Sequence, residues 1–290
     1  MSERLFSQLE KETSFVQFQK YVLESSAPFF IGRLSGNETR LCGLALSNKA
    51  IPQALHHDLL YVAGLQFQSQ DDIRAYVKTY MTACKHCHLL GVWDASMYSQ
   101  AKEFYSLVPR LLGNTVPICA HSLEPYYFMH LPEYAMDRVF YKKKVLVVTS
   151  HLETTREQLA KLPGMFVKPL FHETTEFVLY KPAQQNGGNH DGESWTTHFE
   201  RMKAEIGGLE FDVALVAAGG FGMPVCDFIY EKMGKSVVYV GGALQLFFGI
   251  MGSRWESSPA IRALQNERWT RPVEADRPKQ PGMCENGCYW

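Results

Sequence analysis

The sequence has no excess of charge of either sign and no apolar segment long enough to span a membrane. Its 29 Lys and Arg residues balance 30 Asp and Glu residues, so it lacks the strong field that attracts nucleic acid or anionic membranes. The most apolar segment, residues 237–252, contains Gln245 and is shorter than the roughly 20 residues that a span needs. We therefore expect no nucleic-acid partner and no transmembrane segment. For residues 237–252 we predict a buried strand followed by a buried helix.

A secretion signal and a disulfide framework are also missing. The first residues, MSERLFSQLEKETS, are charged and contain no apolar core, which argues against a secretory signal. The seven cysteines are odd in number and scattered along 290 residues, unlike those of small disulfide-stabilised domains. Both features favour a cytoplasmic protein. Cys84-x-x-Cys87-His88 resembles half of a zinc site, but no second Cys-x-x-Cys lies nearby, so we expect buried thiols between a helix and a strand.

Short apolar runs alternate with helical patterns along most of the chain. Hydrophobic residues make up 46% of it, which is typical of a globular protein with a sizeable core. Continuous Val, Ile and Leu runs indicate parallel strands buried on both faces. Six runs predict strands, at residues 28–32, 88–93, 116–119, 144–150, 211–218 and 236–242. Helical patterns occupy residues 37–47, 71–84, 96–112, 154–161, 195–206 and 223–233.

This alternation predicts an α/β protein with a Rossmann-like, doubly wound, mostly parallel sheet and helices on both faces. A charge run just before residue 144 suggests two halves. Residues 1–135 would form an N-terminal α/β half, and residues 136–290 a C-terminal nucleotide-binding half with a wrapped tail; one continuous domain is the alternative. The tail begins with a Pro-rich stretch, residues 270–282, and we expect its terminal aromatic residues to hold it in place.

Glycine turns follow two neighbouring predicted strands. Ligands of open α/β sheets bind beyond the carboxyl ends of the strands. Gly219, Gly220 and Gly222 follow one strand, and Gly241 and Gly242 follow the next. Glycines before a helix let backbone N–H groups approach a phosphate closely, and the helix dipole favours the anion. The alternative is a tight turn that needs positive φ. Two such turns predict one ligand cleft.

These turns differ from the dinucleotide-binding motif. They do not follow Gly-x-Gly-x-x-Gly, and the next strand ends without the acidic residue that would hold a ribose, so an NAD-dependent oxidoreductase is disfavoured. Gln245 lies one turn into the following helix, where it would meet a base or a sugar hydroxyl, or act as a buried structural amide. Arg254 lies beyond the apolar segment, where it would reach a phosphate or stabilise a helix end.

Polar side chains follow two further predicted strands. Residues 33–38, RLSGNE, place an arginine at a strand exit beside a first-turn carboxylate, which makes a ligand site. Ser35-x-x-Glu38 is also a capping-box pattern, and the two interpretations are compatible. Thr149, Ser150 and His151 follow the strand at residues 144–150. Their hydroxyl groups would cap a helix or bind an anion, and His151 is a weaker candidate for a general base.

The segment FDVALVAAGGFGMPVCDFIYEKMGKSVVYVGGALQLFFGIMGSRW and the closing ENGCYW resemble glycosyltransferase-like proteins of polysaccharide gene clusters. The resemblance continues in KKVLVVTSHLETTREQ and IGRLSGNETRL, and it touches most of the chain. More remotely, the chain resembles glycosyltransferases of the GT-D fold. That resemblance implies a Rossmann-like architecture, a sugar-nucleotide donor and an Asp-x-Glu metal motif after an early strand.

The GT-D pattern Arg-x-Gly-Asp-Gly-Glu lies over residues 33–38. Its arginine matches Arg33 and its glutamate matches Glu38, but its aspartate falls on Gly36. The metal site that the resemblance implies therefore lacks one of two carboxylates, and Asn37 offers only a neutral oxygen. We expect Mn²⁺ or Mg²⁺ to be weakly required at most, with Glu38 as ligand or base. Arg33 or Arg254 would then neutralise a leaving diphosphate.

The sequence and its resemblance together predict a glycosyltransferase that moves a sugar from a nucleoside-diphosphate sugar, with UDP favoured, to a glycan acceptor. Glu38 and Arg33 are the expected catalytic residues. The residues expected to bind the donor are Ser35, Asn37, Ser150, Gly219, Gly220, Gly222, Gly241, Gly242, Gln245 and Arg254. The alternative is a non-catalytic accessory protein that binds a nucleotide or a sugar on the same scaffold, which the missing aspartate supports.

Overall fold

The computed structural model describes residues 9–93 and 109–290. In these ranges seven strands form one sheet in the order β3-β2-β1-β7-β6-β4-β5, and all neighbours in it are parallel. The strands are β1 Phe30–Arg33, β2 Leu89–Val92, β3 Val116–Cys119, β4 Lys144–Val148, β5 Glu176–Tyr180, β6 Val213–Val216 and β7 Ser236–Tyr239. The predicted Rossmann-like α/β fold is confirmed, with a sheet that is wholly parallel.

Helices connect the strands and cover both faces of the sheet. They are α1 Lys11–Glu24, α2 Gly36–Leu46, α3 Gln53–Tyr61, α4 Gln70–His86, α5 Met136–Val139, α6 Leu152–Gln158, α7 Trp195–Gly207, α8 Gly222–Met233 and α9 Pro259–Arg262. A 3₁₀ helix, Gly241–Phe248, follows β7, so residues 237–252 form a strand followed by a helix, as predicted. Most of the helix predicted at residues 96–112 lies outside the described residues. None of the described helices is long and apolar enough to cross a membrane.

Side-chain caps and a glycine set the ends of the longer helices. The Ser69 hydroxyl accepts a hydrogen bond from the Asp72 N–H at 3.1 Å and begins α4. Ser194 begins α7 in the same way. Such hydroxyls satisfy N–H groups that have no partner within the helix. At the C-terminal end of α8, the C-cap residue Gly234 adopts the left-handed conformation with φ 63°. Glycine reaches this conformation without steric cost.

The strands are apolar without alternation because both faces of the sheet are covered. Side chains alternate between the faces along each strand. In β4, Leu146 and Val148 pack on the first face, among residues of α2, α4, α7 and α8. Val145 and Val147 pack on the second face, among residues of α1 and the 3₁₀ helix Gly241–Phe248. The core therefore consists of two layers separated by the sheet.

The sheet is continuous across the two predicted halves of the chain. Strands β1–β3 lie within residues 1–135 and β4–β7 within residues 136–290, and the two groups join where Ile31 of β1 lies opposite Val238 of β7. The chain leaves β1 towards the first face through α2 and leaves β7 towards the second face through the 3₁₀ helix. Connections that diverge from neighbouring strands leave a crevice at the carboxyl edge of a sheet.

Candidate functional site

A cleft of about 510 Å³ opens at the carboxyl edge of the sheet. This volume is within the range of about 300–1,000 Å³ that is usual for small-molecule sites. Residues that follow β1, β2, β3, β4, β6 and β7 line it, and the tail closes one wall. The predicted site residues that line the cleft are Arg33, Ser35, Asn37, Glu38, Ser150, Gly219, Gly241, Gly242, Gln245 and Arg254. The structure thus brings together all the predicted site residues except Gly220 and Gly222.

Glu38 is a buried carboxyl group in the first turn of α2, with 5% of the residue exposed. Burial raises the pKa of Glu38, and a hydrogen bond with the Ser35 side chain opposes that rise. In the described ranges, no arginine or lysine forms an ion pair with it. A buried carboxyl group without a cationic partner holds its proton more tightly than usual, which suits a group that exchanges protons.

The capping box predicted for Ser35 and Glu38 does not form. Ser35 is the N-cap residue of α2, but its hydroxyl accepts no hydrogen bond from the helix backbone. Its Oγ lies 3.3 Å from the Tyr80 hydroxyl, and its own N–H donates to that hydroxyl at 3.2 Å. The buried Tyr80 phenol therefore takes the partners that a capping box would use. Ser35 turns its side chain to Tyr80 and to the Glu38 carboxyl.

Arg33 and Glu124 form a buried ion pair on the β3 side of the cleft. Their Nη1 and Oε1 atoms are 3.4 Å apart, and the side chains are 11% and 7% exposed. The guanidinium carbon lies 5.0 Å from the centre of the Trp93 ring. The Tyr126 hydroxyl donates to the second Glu124 oxygen at 2.8 Å. Burial raises the pKa of Glu124, while Arg33 and the Tyr126 hydroxyl oppose the rise.

Glu124, Trp93 and His151 also line the cleft. The sequence offers His151 only as a weaker candidate base and Glu124 only as an alternative carboxylate to Glu38, and it does not single out Trp93. The argument from strand ends extends to Trp93 as it does to Glu124, because Trp93 directly follows β2 and Glu124 follows β3 within a few residues. Asp94, which follows Trp93 in the sequence, lies outside the described residues. Neighbouring strand ends meet at one edge of a parallel sheet, so polar residues there deserve equal weight.

The glycine turn after β6 is explained by packing within the chain. The Gly220 N–H donates to the Ala63 carbonyl at 2.8 Å, and a Cβ at Gly220 would overlap the Leu65 side chain. A Cβ at Gly222 would overlap the Tyr239 ring. This differs from the prediction that Gly220 and Gly222 bind the donor. The backbone does approach a neighbour closely, but that neighbour is another part of the chain.

The glycine turn after β7 lies in the cleft and against an arginine. Gly241 has φ 68°, and a Cβ there would overlap the Arg33 guanidinium. Gly241 and Gly242 begin the 3₁₀ helix Gly241–Phe248, and the first N–H groups of a helix have no partner within it. Arg33 and this helix start therefore form one electropositive part of the cleft, suited to an anion.

The predicted phosphate ligand Arg254 lines the cleft with its charge already balanced. It forms an ion pair with Glu285 of the tail. Its guanidinium carbon also lies 4.7 Å from the centre of the Tyr289 ring. To contact a phosphate, Arg254 would have to exchange Glu285 for that phosphate. Arg33 is also paired, with Glu124, but the helix start at Gly241 lies beside it, which makes it the better placed of the two arginines.

The side chains that could share a metal ion lie away from the cleft. Across the described ranges, the only three His, Cys, Asp or Glu side chains close enough to share one ion are Asp191, Glu193 and His198, within 4.8 Å of one another. None of them lines the cleft. Glu38 is the single carboxylate of the GT-D pattern, since Gly36 stands where the aspartate would be. Within residues 9–93 and 109–290, the side chains therefore do not supply the carboxylate pair that the resemblance implies.

The sequence Cys84-x-x-Cys87-His88 forms part of the core. Both thiols are free and buried. The Cys87 thiol donates to the Ala83 carbonyl at 3.3 Å, and the His88 Nδ1 accepts from the Phe30 N–H at 3.0 Å. The first contact lies within the C-terminal turn of α4, and the second joins the residue before β2 to β1.

Comparison with protein-family models, with curated proteins and with solved structures gives no significant match for this chain. The glycosyltransferase resemblance of its motifs consequently rests on the residues themselves.

Proposed function

We propose that the protein is a glycosyltransferase that takes a sugar from a nucleoside-diphosphate sugar, most readily a UDP-sugar, and transfers it to a hydroxyl group of a glycan. The observation that carries this proposal is the meeting of Arg33, Glu38 and the helix start at Gly241 in one cleft of about 510 Å³. An anion site and a buried proton acceptor are the two groups that glycosyl transfer from a diphosphate requires.

The anion site stabilises the leaving diphosphate. When the bond between the sugar carbon and the phosphate oxygen breaks, negative charge grows on the departing diphosphate. Arg33 and the N–H groups at the start of the 3₁₀ helix Gly241–Phe248 are fixed in place before the reaction. Preorganised donors of this kind stabilise developing charge without further rearrangement. Glu124 holds Nη1 of Arg33 in place, and Nη2, which lies beside Gly241, is the nitrogen that would contact the diphosphate.

Glu38 removes the proton of the attacking acceptor hydroxyl. The acceptor hydroxyl must lose its proton as its oxygen bonds to the sugar carbon. The raised pKa of Glu38 makes its carboxylate a stronger base than an exposed glutamate. The proton passes to Glu38, and the electron pair of the broken bond leaves with the diphosphate. Base catalysis of this kind contributes typically about 10²–10⁴-fold to a rate.

A second candidate function is a non-catalytic protein that binds a nucleotide or a sugar in the same cleft. Two observations favour it. Arg33 and Arg254 are both paired with carboxylates, Glu124 and Glu285, so the cleft carries less free positive charge than its arginines suggest. In addition, Gly36 stands where the GT-D pattern has its aspartate.

A binding panel and a turnover assay together separate the two candidates. We expect UDP-sugars to raise the melting temperature, because a ligand that binds only the folded state stabilises it by mass action, while NADH has no effect. We expect slow release of UDP from the bound UDP-sugar, little changed by Mn²⁺ or by EDTA. Binding without UDP release, with or without a glycan acceptor, would support the accessory protein. Activity that EDTA abolishes and Mn²⁺ restores would contradict the weak metal requirement. If no nucleotide sugar binds, the proposal fails.

A further inference from the structure

The Gln245 side chain has an unpartnered acceptor whose identity is fixed by its neighbours. Its Nε2 donates to two backbone carbonyls, those of Ile250 at 3.0 Å and Tyr289 at 3.4 Å. Rotating the amide by 180° would place its oxygen against both carbonyl oxygens, where neither atom could donate. The two contacts therefore identify which atom is Nε2 and which is Oε1. The opposite atom, Oε1, is buried and has no hydrogen-bond partner among the described residues. Gln245 itself lines the cleft.

His151 presents a second unpartnered acceptor. Its ring faces the Tyr289 carbonyl, and burial lowers the pKa of His151 to about 4, so the ring is neutral at pH 7. A neutral imidazole has one N–H and one lone pair. Since the N–H is used by Tyr289, the lone pair belongs to Nε2, which is buried and unpartnered in the described part of the chain. His151 also lines the cleft.

The two side chains contact the same Tyr289 carbonyl, so both acceptors belong to one wall of the cleft. Two such acceptors repel phosphate oxygens and require a ligand that offers donors. A pair of adjacent hydroxyl groups on a sugar ring offers two. The edge of a uracil base offers a single N–H between two carbonyl oxygens, which would face the acceptors unfavourably. Trp290 also lines the cleft, and its ring centre is 5.5 Å from that of His151.

We infer that His151, Gln245 and Trp290 form a subsite for a polyhydroxyl ring of the donor, whose hydroxyl groups donate to His151 Nε2 and Gln245 Oε1. The ring is either the transferred sugar or the ribose of the nucleotide. This inference rests on the proposed function and adds that different parts of the cleft bind different parts of the donor. Arg33 and Gly241 hold the diphosphate, and the neutral subsite holds the ring and selects for its hydroxyl groups.

Gln158 provides a matched control. It is fully buried, and its Nε2 also donates to two backbone carbonyls, those of Phe248 at 3.0 Å and Arg268 at 2.8 Å. Its Oε1 likewise has no partner in the part of the chain that the structure describes, but Gln158 does not line the cleft. Replacing it therefore reproduces the structural cost of losing a bridging amide without touching the subsite.

The test measures the affinity of UDP-glucose, UDP and inorganic pyrophosphate for the wild type and for Gln245→Met, His151→Phe and Gln158→Met. We expect Gln245→Met and His151→Phe each to weaken UDP-glucose binding about fivefold or more, the effect of one hydrogen bond. Pyrophosphate affinity should stay unchanged in both, which also reports an intact fold. Gln158→Met should bind all three ligands like the wild type. If either Gln245→Met or His151→Phe fails to melt cooperatively, the affinities of the other variant decide the test.

The pattern of losses identifies the ring. A loss confined to UDP-glucose assigns the subsite to the transferred sugar, and an equal loss for UDP assigns it to the ribose. Unchanged affinities in both subsite variants, or an equal loss in Gln158→Met, would overturn the subsite while leaving the proposed function standing. Failure of the wild type to bind any nucleotide or nucleotide sugar would remove the proposed function, and the inference with it.

Discussion

Two buried glutamates line the same cleft, and their surroundings differ. Glu124 lies between Arg33 and the Tyr126 hydroxyl, so each of its oxygens has a partner. Glu38 has the Ser35 hydroxyl and, in the part of the chain that the structure describes, no ion pair with a cation. Burial raises the pKa of both carboxyl groups, but at Glu124 the charge of Arg33 works against it.

The difference separates two roles that look alike in the sequence. A buried carboxylate paired with an arginine mainly fixes the position of that arginine, because separating the two would leave an uncompensated charge. A buried carboxyl group without such a partner is free to take up and release a proton. We therefore propose that Glu124 positions Arg33 and that Glu38 takes up and releases a proton.

The largest effect is expected for Glu38→Gln. Glutamine keeps the size and a hydrogen-bond acceptor for Ser35, but it cannot take up a proton. Turnover should fall at least about a hundredfold, with donor affinity largely retained and the melting temperature close to that of the wild type. Steady-state kinetics together with thermal melts check this. Retained turnover would show that Glu38 is structural, and the search for the base would move to Glu124 and Asp94.

A smaller effect is expected for Glu124→Gln, mainly on stability and anion binding. Glutamine still accepts from Tyr126 but leaves Arg33 buried without a counter-charge. The free energy of unfolding should fall by about 2 kcal/mol, and pyrophosphate should bind more tightly because it restores the missing charge. Urea unfolding and calorimetry measure both quantities.

The control for this prediction is Glu285→Gln. That glutamate pairs with Arg254 at a more exposed position, where the two side chains are 44% and 39% exposed. Exposed pairs contribute about 0.5 kcal/mol, so the loss of stability should be correspondingly small. Equal losses for Glu124→Gln and Glu285→Gln would contradict the assignment of Glu124 as the buried partner that positions Arg33.

The smallest effect concerns pH. The pKa of Glu38 is raised above 4.5 in the folded state, so above pH 4.5 the folded protein binds this proton more tightly than the unfolded chain does. Stability must then decline as the pH rises from 4.5 through the folded pKa. Urea unfolding across this range should show a steeper decline for the wild type than for Glu38→Gln. Parallel curves for the two proteins would mean that burial does not perturb Glu38.

The central strands were predictable because they are buried on both faces. A continuous apolar run of this length is typical of a strand buried on both faces. Only the strand ends differ from the prediction, by a few residues. Strand β6, for example, is predicted at residues 211–218 and found at Val213–Val216. The edge strand β5 was missed, since its residues are only half-buried. Helix α1 was also missed, although Phe15, Phe18 and Val22 recur at helical spacing and lie in the core.

The site was predictable as far as strand ends reveal it. The rule that ligands bind beyond the carboxyl ends of parallel strands locates Arg33, Glu38 and Gly241. It does not tell which residue each of them contacts. Gly220 shows this limit, because glycine at a turn signals a close approach without naming the neighbour, which here is Leu65. The wall formed by the tail depends on contacts such as Arg254–Glu285. No local pattern specifies contacts of that kind.

The pairing of β1 with β7 also bears on how the protein folds. Phe29 and Ser236, which hydrogen-bond beside this pair, are 207 positions apart in the chain. Contacts between such distant residues form late, because the entropy of closing the intervening loop must be overcome first. Strands β1–β3 and β4–β7 can each assemble from residues nearer in sequence, and the cleft lies where these two units join. Binding competence should therefore appear only in the last step of refolding, after most of the secondary structure has formed.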